Sequence, residues 1–167
     1  MCAAPSSAVT DSDDLLDQFR NELARCRQLY QDAAKQCLQS NPRMIPDRGP
    51  FKERMLELQR GLVVKILVEV AQSDWHWTEN EYGLARELFE HCWGRRLNRA
   101  ELKEALKEVC SRASEISWAS LFRPFAEFPV LRKRIGELET IVLRIGNLVA
   151  KIDGVWQITL ARWLRKL

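Results

Sequence analysis

Two stretches of the chain have nearly the same sequence: AQSDWHW at Ala71–Trp77 and AKIDGVW at Ala150–Trp156. Each reads Ala-x-x-Asp-x-x-Trp, each follows an apolar run with helical spacing, and each precedes another amphipathic segment. Two copies of one pattern in matching positions are typical of a duplicated structural unit. The sequence therefore predicts two related helix-loop-helix halves, with Asp74 in the first connecting loop and Asp153 in the second.

Helical spacing continues outward from both repeats. No stretch alternates apolar and polar residues as a strand would, so the predicted fold class is all-α, a single bundle of about seven helices. The predicted helices cover residues 11–40, 51–71, 78–93, 99–114, 118–123, 129–152 and 157–167.

Helix caps set several of these boundaries. Thr78 followed by Glu81, and Asn98 followed by Glu101, are capping boxes, in which each side chain bonds the backbone amide of the other residue. Gly94 ends the third helix, because glycine adopts the left-handed conformation of a helix C-terminus at little cost. Pro124 is expected to end the short fifth helix, and Pro129 to begin the sixth.

The chain divides into three predicted parts. Residues 1–10 are a disordered tail, 11–50 an amphipathic helix and a proline-rich loop, and 51–167 the duplicated helical domain. The first helix is expected to pack alongside this domain as an extra helix. The last segment is still amphipathic at Leu167 and has no cap, which predicts an N-terminal part of a longer protein.

Charge and cysteine content limit the classes of function. The net charge of +3 is too small to indicate a nucleic-acid footprint, but residues 131–167 hold eight Lys or Arg against three acids. This basic C-terminal segment is either a solvated helix face or a surface for an acidic partner, a nucleic acid or an anionic membrane. Five cysteines with no CxxC pair and no signal peptide predict reduced thiols and a cytoplasmic location, and no transmembrane segment is expected.

The acidic residues around the repeats are the candidate metal ligands. Asp74, Glu79 and Glu81 belong to the first loop and the helix that follows it, whereas Asp153 stands alone in the second. If the two loops converge, these carboxylates could bind a divalent cation such as calcium, which takes six or more oxygen ligands. A purely structural role is the alternative, because aspartate stabilises turns and Glu81 is explained by its capping box.

The first of these loops resembles the TerB-like domains of the tellurite-resistance family. In that family an apolar helix ends in Ala-Asp-Gly or a similar sequence, and a glutamate follows at the start of the next helix. Here Glu81 follows Asp74 by seven places, while Trp75 stands where the family has glycine.

The second loop matches the family in the complementary way. It keeps Asp153 and Gly154 but has Leu160 where the acid is expected, and the resemblance covers roughly residues 51–167. The resemblance implies a helical module joined to other domains in stress-related or membrane-associated systems, with cation binding by acidic loops in some members. It does not imply an enzyme.

Catalytic motifs are missing from the sequence. There is no GxSxG, no phosphate-binding glycine loop and no HxxxH or CxxC spacing. His76 and His91 are therefore interpreted as ordinary surface histidines rather than as zinc ligands with Cys92. The predicted function is a non-catalytic interaction or sensor module of a bacterial protein, with a protein partner or a fused downstream domain. The alternatives are a regulatory adaptor joined to an ATPase or chaperone, and a membrane-surface or nucleic-acid binder that uses Arg132–Arg134, the nucleic-acid case being the less favoured.

Overall fold

The structure, a computed structural model, describes residues 7–71 and 78–153. These ranges contain six α-helices, one 3-10 helix and no strand, which confirms the all-α bundle. The elements are α1 Ser7–Ser40, α2 Arg48–Ala71, α3 Glu79–Trp93, α4 Arg99–Glu115, α5 Trp118–Glu127, the 3-10 helix Pro129–Arg134 and α6 Ile135–Asp153. The seventh predicted helix lies outside the described residues, so the count of seven and the duplication stay predictions.

Helix α1 occupies the centre of the bundle. It packs against α2, α3, the 3-10 helix and α6. Leu23, Cys26, Tyr30 and Ala33 have no solvent-exposed surface. The first helix packs against the rest of the bundle, and its apolar seam supplies part of the core itself. The helix also starts at Ser7, four residues before the predicted start at Asp11.

Helices α2 and α6 complete this core around α1. The apolar stripes predicted for both helices face inward, as helical spacing requires of a buried face. Their buried side chains include Met55, Leu62, Ile66, Val70, Leu138, Ile145 and Val149.

Helices α3 and α4 pack together over a smaller cluster formed by Tyr82, Ala85, Phe89, Leu102 and Leu106. Both predicted capping boxes are present at their N-termini. Gly94 ends α3 with φ of 64°, the left-handed conformation predicted for it.

Proline positions differ from the prediction. Pro124 lies inside α5, which continues to Glu127 instead of ending before the proline. Proline removes one backbone hydrogen bond from a helix, but here the ring is buried. The Tyr30 hydroxyl also donates to the Leu121 carbonyl at 3.1 Å, which ties α5 to α1. Tertiary packing therefore outweighs the local preference.

The predicted sixth helix begins with a tighter turn than expected. Residues Pro129–Arg134 form a 3-10 helix, and α6 starts only at Ile135. The Leu131 amide donates to the Phe128 carbonyl at 2.9 Å, and the Leu131 side chain is fully buried. A short 3-10 turn is a frequent start of an α-helix, and here it brings Leu131 into the core.

One lysine is buried within α2. The Lys65 ammonium donates to the Ala113 carbonyl in the last turn of α4 at 3.0 Å and lies 3.5 Å from a Glu69 carboxylate oxygen. It also lies 5.4 Å from the ring centre of Trp118. A cation at this position satisfies a C-terminal carbonyl group of α4 and is stabilised by the negative end of the α4 dipole.

Candidate functional site

The predicted cation ligands are only partly described by the structure. Asp74 and the side chain of Asp153 lie outside the described residues. Glu79 and Glu81 occupy the first turn of α3. The convergence of the two acidic loops therefore stays a prediction.

Glu81 is used by the helix cap. Its backbone amide donates to the Thr78 hydroxyl at 3.3 Å, and its carboxylate accepts from the Thr78 amide at 3.0 Å. The residue is 4% exposed. A carboxylate that already accepts a hydrogen bond from a backbone amide at a helix terminus is poorly placed to leave it for a cation.

Glu79 is exposed and forms an ion pair with Arg99 at the start of α4. The Arg99 guanidinium also lies over the Tyr82 ring, 4.6 Å from its centre. These contacts join the N-termini of α3 and α4. In the ranges that the structure covers, no group of three His, Cys, Asp or Glu residues is arranged to hold a metal ion.

A polar cluster lies where α1, α2 and α3 meet. Gln59 is buried, and its amide nitrogen lies 2.8 Å from Nε2 of His91. The Arg27 guanidinium donates to the His91 carbonyl. The sequence interpretation of His91 as an ordinary surface residue is therefore wrong, because the ring is half-buried and hydrogen-bonded.

The cluster also contains the thiols of Cys26 and Cys92, which are held in the neutral form. Burial raises the pKa of Cys26 and of Cys92 to about 12. The thiolate is the nucleophilic form of cysteine, so these residues are poorly suited to covalent chemistry.

His91 predicts a pH-dependent stability. Burial, followed by the charges of Arg27 and Arg60, lowers its pKa from 6.5 to about 4. Between these two values the unfolded chain binds a proton that the folded chain does not, so the free energy of unfolding falls as the pH falls. After screening we expect a loss of about 1–2 kcal/mol between pH 7 and pH 4.

Urea denaturation across this pH range measures the effect. Other groups also titrate there, so His91→Gln is the control, and its stability should decline less steeply with falling pH. Equal slopes for the two proteins would show that His91 does not contribute.

An apolar groove lies between α2, α3 and α4. Its volume is about 380 Å³, and we call it the Trp93 groove because Trp93 is 42% exposed at its edge. The rings of Phe89 and Trp93 are in contact, with centres 4.8 Å apart. The groove is lined by Glu57, Arg60, Gly61, Val64, Phe89, Trp93, Ala105, Glu108, Val109, Arg112, Ala113 and Ile116.

Charged side chains border this apolar floor. Arg112 pairs with Glu108 at 2.7 Å on the α4 side. On the α2 side, Arg60 is half-buried and has no ion pair with any described residue. The groove thus offers apolar contact area together with the Arg60 guanidinium, which can pair with a carboxylate of a partner.

Sequence reasoning missed this groove. Of the two aromatic residues on this face of α3, Phe89 is buried and Trp93 stays exposed. The signal was present, since Phe89 and Trp93 are four residues apart and share one face of α3, and Gly94 ends the helix directly after it. A tryptophan on the last turn of a short helix has few neighbours to cover it.

Comparisons with protein-family models, with curated proteins and with solved structures give no match to this chain. The TerB-like resemblance, the cytoplasmic location and the cation site therefore stay predictions. None of the helices within residues 7–71 and 78–153 is long and apolar enough to cross a membrane.

Proposed function

We propose that the chain is a non-catalytic helical interaction module that binds an amphipathic helix in the Trp93 groove. The observation that carries the proposal is the exposure of Trp93 beside an apolar floor. Exposed aromatic residues next to apolar pockets are frequent anchors of protein interfaces. The partner is a second protein or a downstream segment of a longer chain.

The dimensions of the groove favour a helix as the bound element. Its α4 wall runs from Ala105 to Ile116, the residue that caps α4; the eleven steps between them span about 16 Å at 1.5 Å each. This length accommodates about three turns of a docked helix. Helices bound in grooves insert apolar anchors at positions i, i+3 or i+4, and i+7, which such a length can hold.

The border of the groove adds a charge preference. Arg60 has a full positive charge and no described ion-pair partner, whereas Arg112 is already paired with Glu108. We therefore expect the bound helix to carry an Asp or Glu beside its apolar stripe. An acid there gains a charge-assisted hydrogen bond and fixes the register of binding.

Selection from a phage-displayed library of amphipathic helical peptides tests this function. The enriched peptides should share an apolar stripe and an adjacent acid. Their affinity, measured by fluorescence anisotropy, should fall about tenfold or more in Trp93→Ala, as expected for an interface anchor. Arg60→Gln should lower the affinity for the acidic peptides more than the affinity for matched peptides that carry Gln in place of the acid.

Met44→Ala is the matched control, because Met44 is the other strongly exposed large apolar residue in the described part. It lies outside the Trp93 groove, so the selected peptides should bind this variant within about twofold of the original chain. Failure to enrich any peptide, or enrichment of peptides that bind Trp93→Ala equally well, would contradict the proposed function.

A further inference from the structure

Basic residues gather at the end of the bundle where α1 ends and α2 begins. Seven of them are exposed, and none has an ion pair or side-chain hydrogen bond with a described residue. We call this set the basic end. It consists of Lys35, Arg43, Arg48, Lys52, Arg54, Arg132 and Lys133.

Contacts between elements bring these residues together. The Arg134 guanidinium donates to the Gln36 side chain at 2.7 Å, which fixes the 3-10 helix against the end of α1. Phe51 at the start of α2 packs against Phe128, with ring centres 5.9 Å apart. Lys35 and Lys52 line one shallow cleft between α1 and α2.

Elsewhere in the bundle some bases are paired and others, such as Arg86, Arg95 and Lys103, have no ion pair with a described residue. On α3 and α4, Arg96 pairs with Glu90 and Lys107 with Glu104, both within 3.4 Å. Near the basic end the acids are fewer: Glu127 is paired with Arg123 and Glu137 with Arg134, while Asp47 and Glu53 stand among the bases without an ion pair to a described residue. The seven unpaired bases therefore leave this end with a local excess of positive charge.

An exposed apolar side chain projects from the same end. Met44 is 75% exposed in the connection between α1 and α2, next to Arg43. The connection is held in place, because Ile45 is buried and the Met44 amide donates to the Asn41 carbonyl at 3.2 Å. Met44 is thus presented on an ordered turn among basic residues.

We propose that the basic end docks the protein on an anionic membrane surface, with Met44 entering the headgroup region and the surrounding bases contacting lipid phosphates. Peripheral proteins bind membranes through this combination of apolar insertion and charge. The two aromatic rings at this end, Phe51 and Phe128, pack on each other instead of standing free to stack on bases. Single-stranded nucleic acid would use such free rings, and Met44 would gain nothing from a phosphate backbone.

This surface differs from the one that the sequence predicted. Arg134 is engaged by Gln36 and by Glu137, so only Arg132 and Lys133 of the predicted basic run contribute. The remaining bases come from α1, α2 and the connection between them. The proposal does not depend on the Trp93 groove.

Vesicle co-sedimentation tests the proposal. The full chain should bind vesicles of phosphatidylcholine with about 30% phosphatidylglycerol at 50 mM NaCl, where screening is weak. It should bind pure phosphatidylcholine far more weakly, because neutral headgroups do not attract the bases. Each base near an anionic surface contributes about fivefold to partitioning, so the triple variant Arg43→Gln, Lys52→Gln, Lys133→Gln should bind about 100-fold more weakly. Met44→Ser should bind several-fold more weakly but keep the salt dependence of the original chain, whereas the triple variant should show a weaker salt dependence.

A second triple variant, Arg95→Gln, Lys103→Gln, Lys107→Gln, removes the same charge from the other side of the bundle and should retain most of the binding. Trp93→Ala should bind vesicles normally, which separates this proposal from the proposed function. Circular dichroism verifies that each variant is folded. No binding to anionic vesicles at low salt, equal losses in both triple variants, or tighter binding to duplex DNA than to vesicles would overturn the proposal.

Discussion

Leu23→Ala is expected to lower the free energy of unfolding by about 3 kcal/mol, in a single cooperative transition. Leu23 lies in the middle of α1 and has no exposed surface. Removing three carbon atoms there loses their burial and leaves a cavity that the surrounding helices can only partly close. Urea denaturation followed by circular dichroism measures the change.

The result distinguishes two views of α1. If the first helix were an addition to a self-sufficient domain, the substitution would melt α1 alone and leave a second transition unchanged. Leu56→Ala removes the same atoms from a half-buried position on α2 and should cost clearly less. Two separate transitions for Leu23→Ala would contradict the single core described above.

Lys65→Ala is expected to cost about 2–4 kcal/mol. The substitution removes the donor to the Ala113 carbonyl and the cation beside Glu69, and it empties the space occupied by the lysine stem. The Glu69 side chain is itself partly shielded, with 26% of its surface exposed. The Glu69 carboxylate then loses one of its favourable interactions, which adds to the cost.

Two further variants separate the causes. Lys65→Met keeps most of the stem volume and loses the charge, so it should cost less than Lys65→Ala. Lys107→Ala removes an exposed lysine that pairs with Glu104, and exposed pairs contribute at most about 1 kcal/mol. If Lys65→Ala were as stable as Lys107→Ala, the capping role of Lys65 would be wrong.

Much of the fold could be predicted because its boundaries are encoded locally. The Thr78 and Asn98 caps each need only the residue three places later, and Gly94 needs only its own lack of a side chain. Buried stripes follow from spacing along one helix. Features of this kind depend on a few neighbouring residues, which the sequence displays directly.

Features that depend on distant contacts could not be predicted in the same way. Pro124 is tolerated inside α5 because its ring is buried. The Tyr30 hydroxyl bonds the Leu121 carbonyl of the same helix from ninety-one residues away along the chain. Lys65 was included in an apolar run, although a lysine followed four places later by Glu69 is the pattern of a paired charge. Nothing in the sequence of α2 indicates that Lys65 donates to the Ala113 carbonyl on α4.

The candidate sites show the same difference between local features and features that depend on distant contacts. The capping role of Glu81 was predictable, whereas the pairing of Glu79 with Arg99 and the burial of His91 required the packing of neighbouring helices. The Trp93 groove exists only where three helices meet. Surfaces assembled from several elements are therefore the part of function least visible in a sequence.

The Thr78 capping box also bears on how this protein can evolve. Because Thr78 and Glu81 satisfy each other's backbone amides, the starting point of α3 is encoded in four consecutive residues. The register of α3 then does not depend on the sequence before Thr78. The start of α3 can therefore stay fixed while other parts of the chain change, so new binding chemistry can arise beside a helix of constant register.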